Sequence, residues 1–336
     1  MRCPSSPISP ARARSARPFE SIGDSRAPQW RASRAMTRFT AIVPATSANL
    51  GPGFDCLGLA LQMQSEFTVD LDGPPGIVIE GEGSDSLPRD ERNLVHKSIR
   101  SFLDRQGKPT PDFALHIVNR IPLSGGLGSS SAALVAAIML GNAIGGANLS
   151  VGQILDIAAD LEGHPDNVAP ALLGGLVVSA ATGDGSVTAL RMPVPPSLSA
   201  VLFIPEFSVR TKRARQVLPR YVPHRDASFN VGRAALLLAA LANNRLDALR
   251  SAMQDRLHQP YRSRLFPAMG AIFEGALAAG AEGACLSGSG SAILALTARN
   301  HGEIGNAMHR AAVARGVDGR WMHVGIALVG AELITR

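Results

Sequence analysis

Apolar and polar positions along the chain fall into short alternating runs and longer stretches of helical period. Phe39–Val43, Phe67–Leu71, Ile77–Glu80 and Phe113–Asn119 have the apolar and β-branched character of strands. A turn rich in Gly and Pro follows the first of them and runs through Gly58. Asn93–Gln106 has helical spacing and stops near Gly107 and Pro109. A Gly/Ser loop, Gly125–Ser131, feeds an Ala-rich helix of about 13 residues. A second helix spans Val151–Glu162 behind an N-cap at Ser150. Leu172–Ser179 predicts a buried strand, and the prolines of Pro193–Ser197 predict a domain boundary.

Beyond that boundary, Ala200–Ile204 predicts a strand and Val231–Leu241 a strongly apolar helix. Leu246–Leu257, Ala268–Ala279 and Ile304–Ala314 predict further helices, and Gly283–Leu296 a strand, a Gly-rich turn and a strand. No internal repeat is visible. Strands and helices mixed without regular βαβ alternation favour an α+β fold over a doubly wound sheet.

The 336 residues are 46% hydrophobic and 18% charged, a globular balance with room for two domains. No apolar run approaches the roughly 18 residues that cross a bilayer; Ala132–Leu140 ends at Gly141. A membrane role is therefore not expected. The formal charge of +6 is uneven, with seven Arg against two acids in residues 1–35, leaving 26 basic and 25 acidic residues after them. A nucleic-acid partner is not expected from that balance. The first 35 residues, with little apolar periodicity, fit a start codon placed too early, with initiation at Met36, or an Arg-rich targeting segment. Cys3, Cys56 and Cys285 are too few and too scattered for a disulfide framework or a zinc site, which makes the cytoplasm the expected compartment.

The most informative segment is Pro122-Leu-Ser-Gly-Gly-Leu-Gly-Ser-Ser-Ser-Ala132. Its glycines allow close backbone approach, so several N–H groups can converge on an anion. The helix behind it offers unpaired N–H groups and a positive dipole end to the same anion. Hydroxyls at Ser129, Ser130 and Ser131 can add donors or ligate magnesium. The segment is not a Walker A loop, lacking Gly-Lys-Ser/Thr, and it lacks the G-x-G-x-x-G spacing of a dinucleotide site. Taken alone, such a loop is as readily a structural cap.

Its company is more specific. Pro44-Ala-Thr-Ser-Ala-Asn-Leu-Gly-Pro-Gly-Phe-Asp55, Pro122–Ala132 and Leu286-Ser-Gly-Ser-Gly-Ser-Ala292 resemble the three motifs of the GHMP small-molecule kinases. The first, with Glu162-Gly-His-Pro-Asp-Asn-Val-Ala-Pro170, is similar to the homoserine kinases of that family. The resemblance runs from about Phe39 to the C-terminus. It implies a two-domain α+β fold: an N-terminal domain of ribosomal protein S5 domain 2-like type over 36–195, which binds ATP, and a C-terminal ferredoxin-like α/β sandwich over 196–336. It also implies a homodimer.

By the same resemblance, the segment Pro122, Leu123, Ser124, Gly125, Gly126, Leu127, Gly128, Ser129, Ser130, Ser131 and Ala132 cradles the phosphates of ATP. The family's magnesium ligands are a serine, matched by Ser130, and a distant acid. Ser131 departs from the usual pattern, which has Ala there. For the acid, Asp160 and Glu162 both stand at the end of a helix. Val151, Leu155, Ala158 and Glu162 share one stripe, which places Glu162 on the inward side, whereas Gln153, Asp156 and Asp160 share the polar face. A carboxylate on the inward stripe needs a partner, which favours Glu162.

Asn49 and Asp55 flank a Gly-Pro-Gly turn, and from residue type alone they are as readily turn caps. The resemblance instead places both, with His164 and Asn167, along the substrate site, Asp55 facing an amino group and Asn167 the accepting hydroxyl of L-homoserine. It brings Arg215, from Thr211-Lys-Arg-Ala-Arg215, and Arg262 to the carboxylate or phosphoryl side. Asn167 and Arg215 are the catalytic candidates, and no general base is assigned. The alternatives are a GHMP kinase for a mevalonate-type or sugar alcohol, and a nucleotide-binding regulator without catalysis.

Overall fold

In the computed structural model, residues 37–336 are described except Ser124 and Asp184. The expectations for residues 1–35 lie outside the described residues, and no helix among the described residues is long and apolar enough to cross a membrane.

The first sheet grows from β1 (Arg38–Ala48) and β2 (Leu57–Asp70), paired antiparallel over nearly their whole length with a register shift between Pro44 and Ala45. β1 outruns the expected Phe39–Val43 at both ends, whereas β2 starts well before the expected Phe67–Leu71 and stops at Asp70, short of Leu71. The chain continues through β3 (Gly76–Gly81), α1 (Leu94–Arg105) and β4 (Ala114–Asn119) to α2 (Ser129–Gly145), α3 (Val151–Glu162) and α4 (Pro165–Leu173). β5 (Leu176–Ala181) and β6 (Val187–Met192) complete the first passage through this sheet. β3 and β4 run parallel, and β5 pairs with β2 and β6.

α2 is buried from Ser131 to Asn142 except at Ala133, so it is sealed nearly all round rather than amphipathic. It packs against β1, α1 and α3. The Ser150 cap of α3 forms a full capping box with Gln153, each side chain engaging the other residue's backbone N–H. The inward stripe of α3 is Ile154, Leu155, Ala158 and Ala159, and Val151 is exposed, so the expected stripe beginning at Val151 is displaced.

The expected strand at Leu172–Ser179 is corrected: its first two residues close α4, and the strand starts at Leu176. α4 is buried at every position but its last, and burial without a polar face looks strand-like in sequence.

The second sheet holds β7 (Ser199–Pro205) in its interior. The chain then passes through α5 (Thr211–Gln216), α6 (His224–Ala242), α7 (Leu249–Ala252), α8 (Gln259–Arg262) and α9 (Met269–Ala278). β8 (Gly283–Leu286), β9 (Ile293–Thr297), α10 (His301–Val313) and β10 (Gly319–Gly325) follow, giving the order β10-β7-β9-β8. β7 is wholly buried because its alternate residues serve two cores. Ala200, Leu202 and Ile204 join the core shared with the first sheet, while Val201 and Phe203 meet Met269, Ile272 and Met308 under α9 and α10. The last strand, β11 (Glu332–Thr335), returns to pair with β1.

The expected helix Leu246–Leu257 ends at Ala252, because the Asp255 carboxylate captures the N–H groups of Leu257, His258 and Gln259.

Gly58 sets how closely the first sheet meets α4. A Cβ there would stand 1.9 Å from the Asp166 carbonyl oxygen and 2.6 Å from the Pro170 ring. Gly58→Ala is expected to destabilise the fold by about 1–3 kcal/mol through overpacking. Urea denaturation checks it, and an unchanged midpoint would mean that α4 is free to shift.

Candidate active site

The Gly/Ser loop is clamped from two sides. Gly126 (φ 75°) and Gly128 (φ 73°) take the left-handed backbone that favours glycine. A Cβ on Gly126 would meet the Ser287 carbonyl oxygen at 2.1 Å, and one on Gly128 would meet Thr46 Oγ1 at 2.0 Å. Ser287 Oγ reaches both the Gly126 carbonyl (2.7 Å) and Ser47 Oγ (2.8 Å), and the Thr46 N–H donates to the Leu127 carbonyl (3.0 Å). The three sequence motifs therefore meet at this loop.

No side chain caps the N-terminus of α2, so its first N–H groups are left for another partner. Pro122 and residues 125–131 line a cavity of about 160 Å3. Leu123 turns aside toward Gly83, and Ala132 is buried in the core. Ser124 lies outside the described residues.

Glu162 closes one side of the cavity. Its two oxygens accept hydrogen bonds from Ser131 Oγ (2.9 Å) and Ser130 Oγ (3.3 Å). Asp160 points elsewhere, 3.9 Å from Arg105 on the exposed face. Of the two acids weighed in the sequence, Glu162, favoured there by helical spacing, is the one that stands beside the loop. Two hydroxyls and a carboxylate form an all-oxygen donor set of the kind a hard divalent cation takes, so these residues fit magnesium. Ser131, the departure from the family pattern, is part of that cluster.

Arg215 and Arg262 also line this cavity. Arg215 grips Asp55 through two hydrogen bonds, Nη2 to Oδ1 at 2.8 Å and Nη1 to Oδ2 at 3.0 Å. That hydrogen bond raises the Arg215 pKa further, against the cost of its burial. Asn49 is buried and engaged at both ends of its amide, donating to the Gly288 carbonyl (2.9 Å) and accepting from the Asp55 N–H (3.0 Å). It therefore shapes the turn that presents Asp55.

Arg262 is buried, donating to the carbonyl of Gly288 (2.8 Å) and lying 3.1 Å from His258 Nδ1. Burial and the neighbouring Arg215 bring its pKa down to about 10, so it stays cationic at neutral pH. Both guanidinium groups stand about as far from the Phe54 ring, at 5.6 and 5.5 Å.

His164 and Asn167 sit at the start of α4. His164 Nδ1 is 2.5 Å from Asp166 Oδ1. Burial opposes the imidazolium, but the hydrogen bond and charge of Asp166, with Glu162 beyond it, outweigh that and raise the pKa. Oxygens of Asp55 and Asp166 and a His164 ring nitrogen lie within 4.8 Å of one another. Asn167 is tied to Thr46 at 2.8 Å.

Sequence reasoning missed Thr46, Asp166 and His258. The first two lie inside the quoted motifs and could have been singled out as polar residues beside glycine and proline. His258 carried no signal in sequence. It is fully buried, with Nε2 donating to the Gly51 carbonyl (2.7 Å) and Nδ1 accepting from Arg262.

Beside this cavity opens a larger groove of about 520 Å3 between α1, α2 and α3, sharing Ser130, Glu162 and His164 with it. Its walls include Leu94, Phe102, Leu134, Ile138 and Ile157.

Two family models match, the GHMP kinases N terminal domain over residues 93–175 and the GHMP kinases C terminal over 237–315. Fold and site together define a member of that class. A homoserine kinase of Moorella thermoacetica is 46% identical over 275 residues, covering 82% of this chain and 93% of the relative. One of Persephonella marina is 44% identical over 293 residues, covering 87% of this chain and 96% of the relative. The crystal structure of homoserine kinase from Cytophaga hutchinsonii superposes with a TM-score of 0.79 at 32% identity, covering 90% of this chain and 99% of that one. The chain belongs to the homoserine kinase family of GHMP kinases.

Burial without charge at His258 gives a pH dependence. Desolvation, together with Arg262, brings its pKa down to about 4 against the pull of Asp255. The unfolded imidazole takes up a proton near pH 6.5 while the folded one resists. Stability is thus fully present above pH 6.5 and falls as pH drops toward about 4. Urea midpoints measured at pH 7.5 and 5 are expected to drop more for the unmodified chain than for His258→Gln. Equal drops would mean that the buried imidazole is not the source.

Proposed function

We propose that the chain transfers the γ-phosphoryl group of ATP to the side-chain hydroxyl of L-homoserine, giving O-phospho-L-homoserine, a step toward threonine. One observation carries the reading: a single cavity brings the uncapped N-terminus of α2 and the Ser–Glu162 cluster together with Asn167, Arg215 and Arg262. The first two suit the phosphates of a nucleotide, and the rest suit a small zwitterion bearing a hydroxyl.

The Gly/Ser loop amides and the α2 N-terminus hold the phosphate chain, and the adjoining apolar groove has the size and lining for the nucleoside. Ser130 and Glu162 hold magnesium, with Ser131 completing the oxygen cluster; the ion's chemistry there is to neutralise phosphate charge. On the acceptor side Asp55 and Arg215, which satisfy each other in this structure, exchange that pair for the ammonium and carboxylate of the substrate. Arg262, held rigidly beneath Phe54, adds positive charge near the same carboxylate. His164 and Asn49 shape the wall, and Asn167 meets the hydroxyl. Because phosphoryl transfer passes through a loose transition state, alignment and charge stabilisation by Arg215 and the loop amides supply most of the rate, and no side chain is assigned as general base.

The domain limits expected at 36–195 and 196–336, the cytoplasmic location and the homodimer belong to this proposal: the limits rest on the resemblance and the prolines of Pro193–Ser197, the location on the scarce, scattered cysteines, and the homodimer on the resemblance. Among the described residues, Pro193–Ser197 falls between β6 and β7.

An ATP-consumption assay with magnesium across L-homoserine, L-threonine, L-serine, mevalonate and galactose is expected to respond selectively to L-homoserine. Activity confined to mevalonate or galactose would move the substrate to another alcohol. Binding of ATP with no turnover on any alcohol would favour a regulator. Glu162→Gln is expected to lower kcat on the order of 100-fold or more by weakening charge stabilisation, and full magnesium-dependent turnover in that variant would remove Glu162 from the metal site.

A further inference from the structure

The acceptor side of the proposed reaction depends on which end of one amide faces the substrate. Asn167 lines the cavity from the first turn of α4, and its Oδ1 is 2.8 Å from Thr46 Oγ1. Thr46 is fully buried in β1, 121 residues away in sequence. Among the described residues, Asn167 is the sole side-chain partner of the Thr46 hydroxyl, which is not left unsatisfied. A buried hydroxyl must place its proton on an acceptor. The carbonyl end of Asn167 is within reach. With the amide turned over, its NH2 group would donate to Thr46, and the Thr46 proton would lose the acceptor it has here.

We infer that Thr46 is a positioning residue that locks Asn167 with its NH2 group toward the acceptor hydroxyl. The inference rests on the proposed function and deepens it. Asn167 then donates a hydrogen bond to a lone pair of the hydroxyl oxygen, and its carbonyl, occupied by Thr46, does not take the hydroxyl proton. A second lone pair on that oxygen remains for attack. In the reaction the bond from the hydroxyl oxygen to the γ-phosphorus forms, and the bond from that phosphorus to the bridging oxygen breaks. ADP leaves with the electron pair, and the hydroxyl proton ends in solvent.

The lock is also joined to the phosphate loop. Thr46 donates its backbone N–H to the Leu127 carbonyl at 3.0 Å. Gly128 lies so close that a Cβ there would meet Thr46 Oγ1 at 2.0 Å and Asn167 Oδ1 at 3.3 Å. One buried threonine therefore sets the phosphate loop and the acceptor amide in a common frame.

Three single variants and one double variant test this with steady-state kinetics on the full chain. Thr46→Val keeps the shape and removes the hydroxyl. It is expected to lower kcat on the order of 10- to 100-fold while the KM for ATP stays within about twofold. Thr46→Ser, which keeps the hydroxyl, is expected to recover most of that loss. Asn167→Asp removes the donor, and adding Thr46→Val to it is expected to cost far less than the same change in the unmodified chain.

A Thr46→Ser variant as impaired as Thr46→Val would overturn the inference, because packing and not the hydroxyl would then matter. Additive losses in the double variant would overturn it too. If Thr46→Val does not fold, Thr46→Ala replaces it: a loss in Thr46→Ala that Thr46→Ser largely recovers supports the lock, and equal kcat in the two contradicts it. Failure of the unmodified chain to phosphorylate L-homoserine is a different result, since it removes the proposed function before any variant is compared.

Discussion

The site depends on the close approach of three backbone segments around Gly126. The Gly/Ser loop can lie against the β8–β9 turn and the end of β1 only because no side chain intervenes, with the Ser287 carbonyl 2.1 Å from where a Gly126 Cβ would stand. Ser287 then joins the Gly126 carbonyl to Ser47, satisfying buried polar groups from all three segments with one hydroxyl. Residues far apart in the chain are thus held in a common frame. The amides of the loop are aimed by that clamp rather than by a side-chain cap, which leaves them free for an anion.

Charge is arranged around this frame so that each group has a partner before substrate arrives. Asp55 and Arg215 hold one another, Asp166 holds His164, and Glu162 gathers the hydroxyls of Ser130 and Ser131. Arg262 is more deeply set, fixed by Gly288 and by an imidazole that burial keeps neutral. A positive side chain held this rigidly loses little freedom on meeting a carboxylate, which is the advantage of a preorganised site. The oxygen cluster and the arginines line one small cavity, which suits a reaction in which a phosphoryl group passes between two bound molecules.

What could be read from sequence follows from how local each signal is. The Ser150 cap, the Gly/Ser loop and the Gly283–Leu296 hairpin were legible because a few adjacent residues carry them. α4 was not, since complete burial and an internal proline erase helical periodicity. β6, β10 and β11 were missed as well: β6 and β11 are largely exposed, and β10 mixes burial without clear alternation. In the site, family resemblance pointed to Asn167 and Arg215, and helical spacing chose Glu162 as the acid that the resemblance left open. Their contacts were not legible, because Arg215 meets Asp55 across 160 residues and Thr46 meets Asn167 across 121. On α3 the expected Leu155 and Ala158 are buried while Val151 is exposed, and Glu162 reaches the loop because the last turn of α3 lies beside the first turn of α2.

On the proposed function, the backbone clamp at Gly126 builds the phosphate site. Calorimetric binding of magnesium–ATP to Gly126→Ala, with a thermal melt of the same sample, puts this to the test. A folded protein is expected whose affinity for the nucleotide falls at least roughly tenfold, because the loop amides can no longer converge. Unchanged affinity in a folded variant would contradict it, and would mean that the phosphates are held elsewhere.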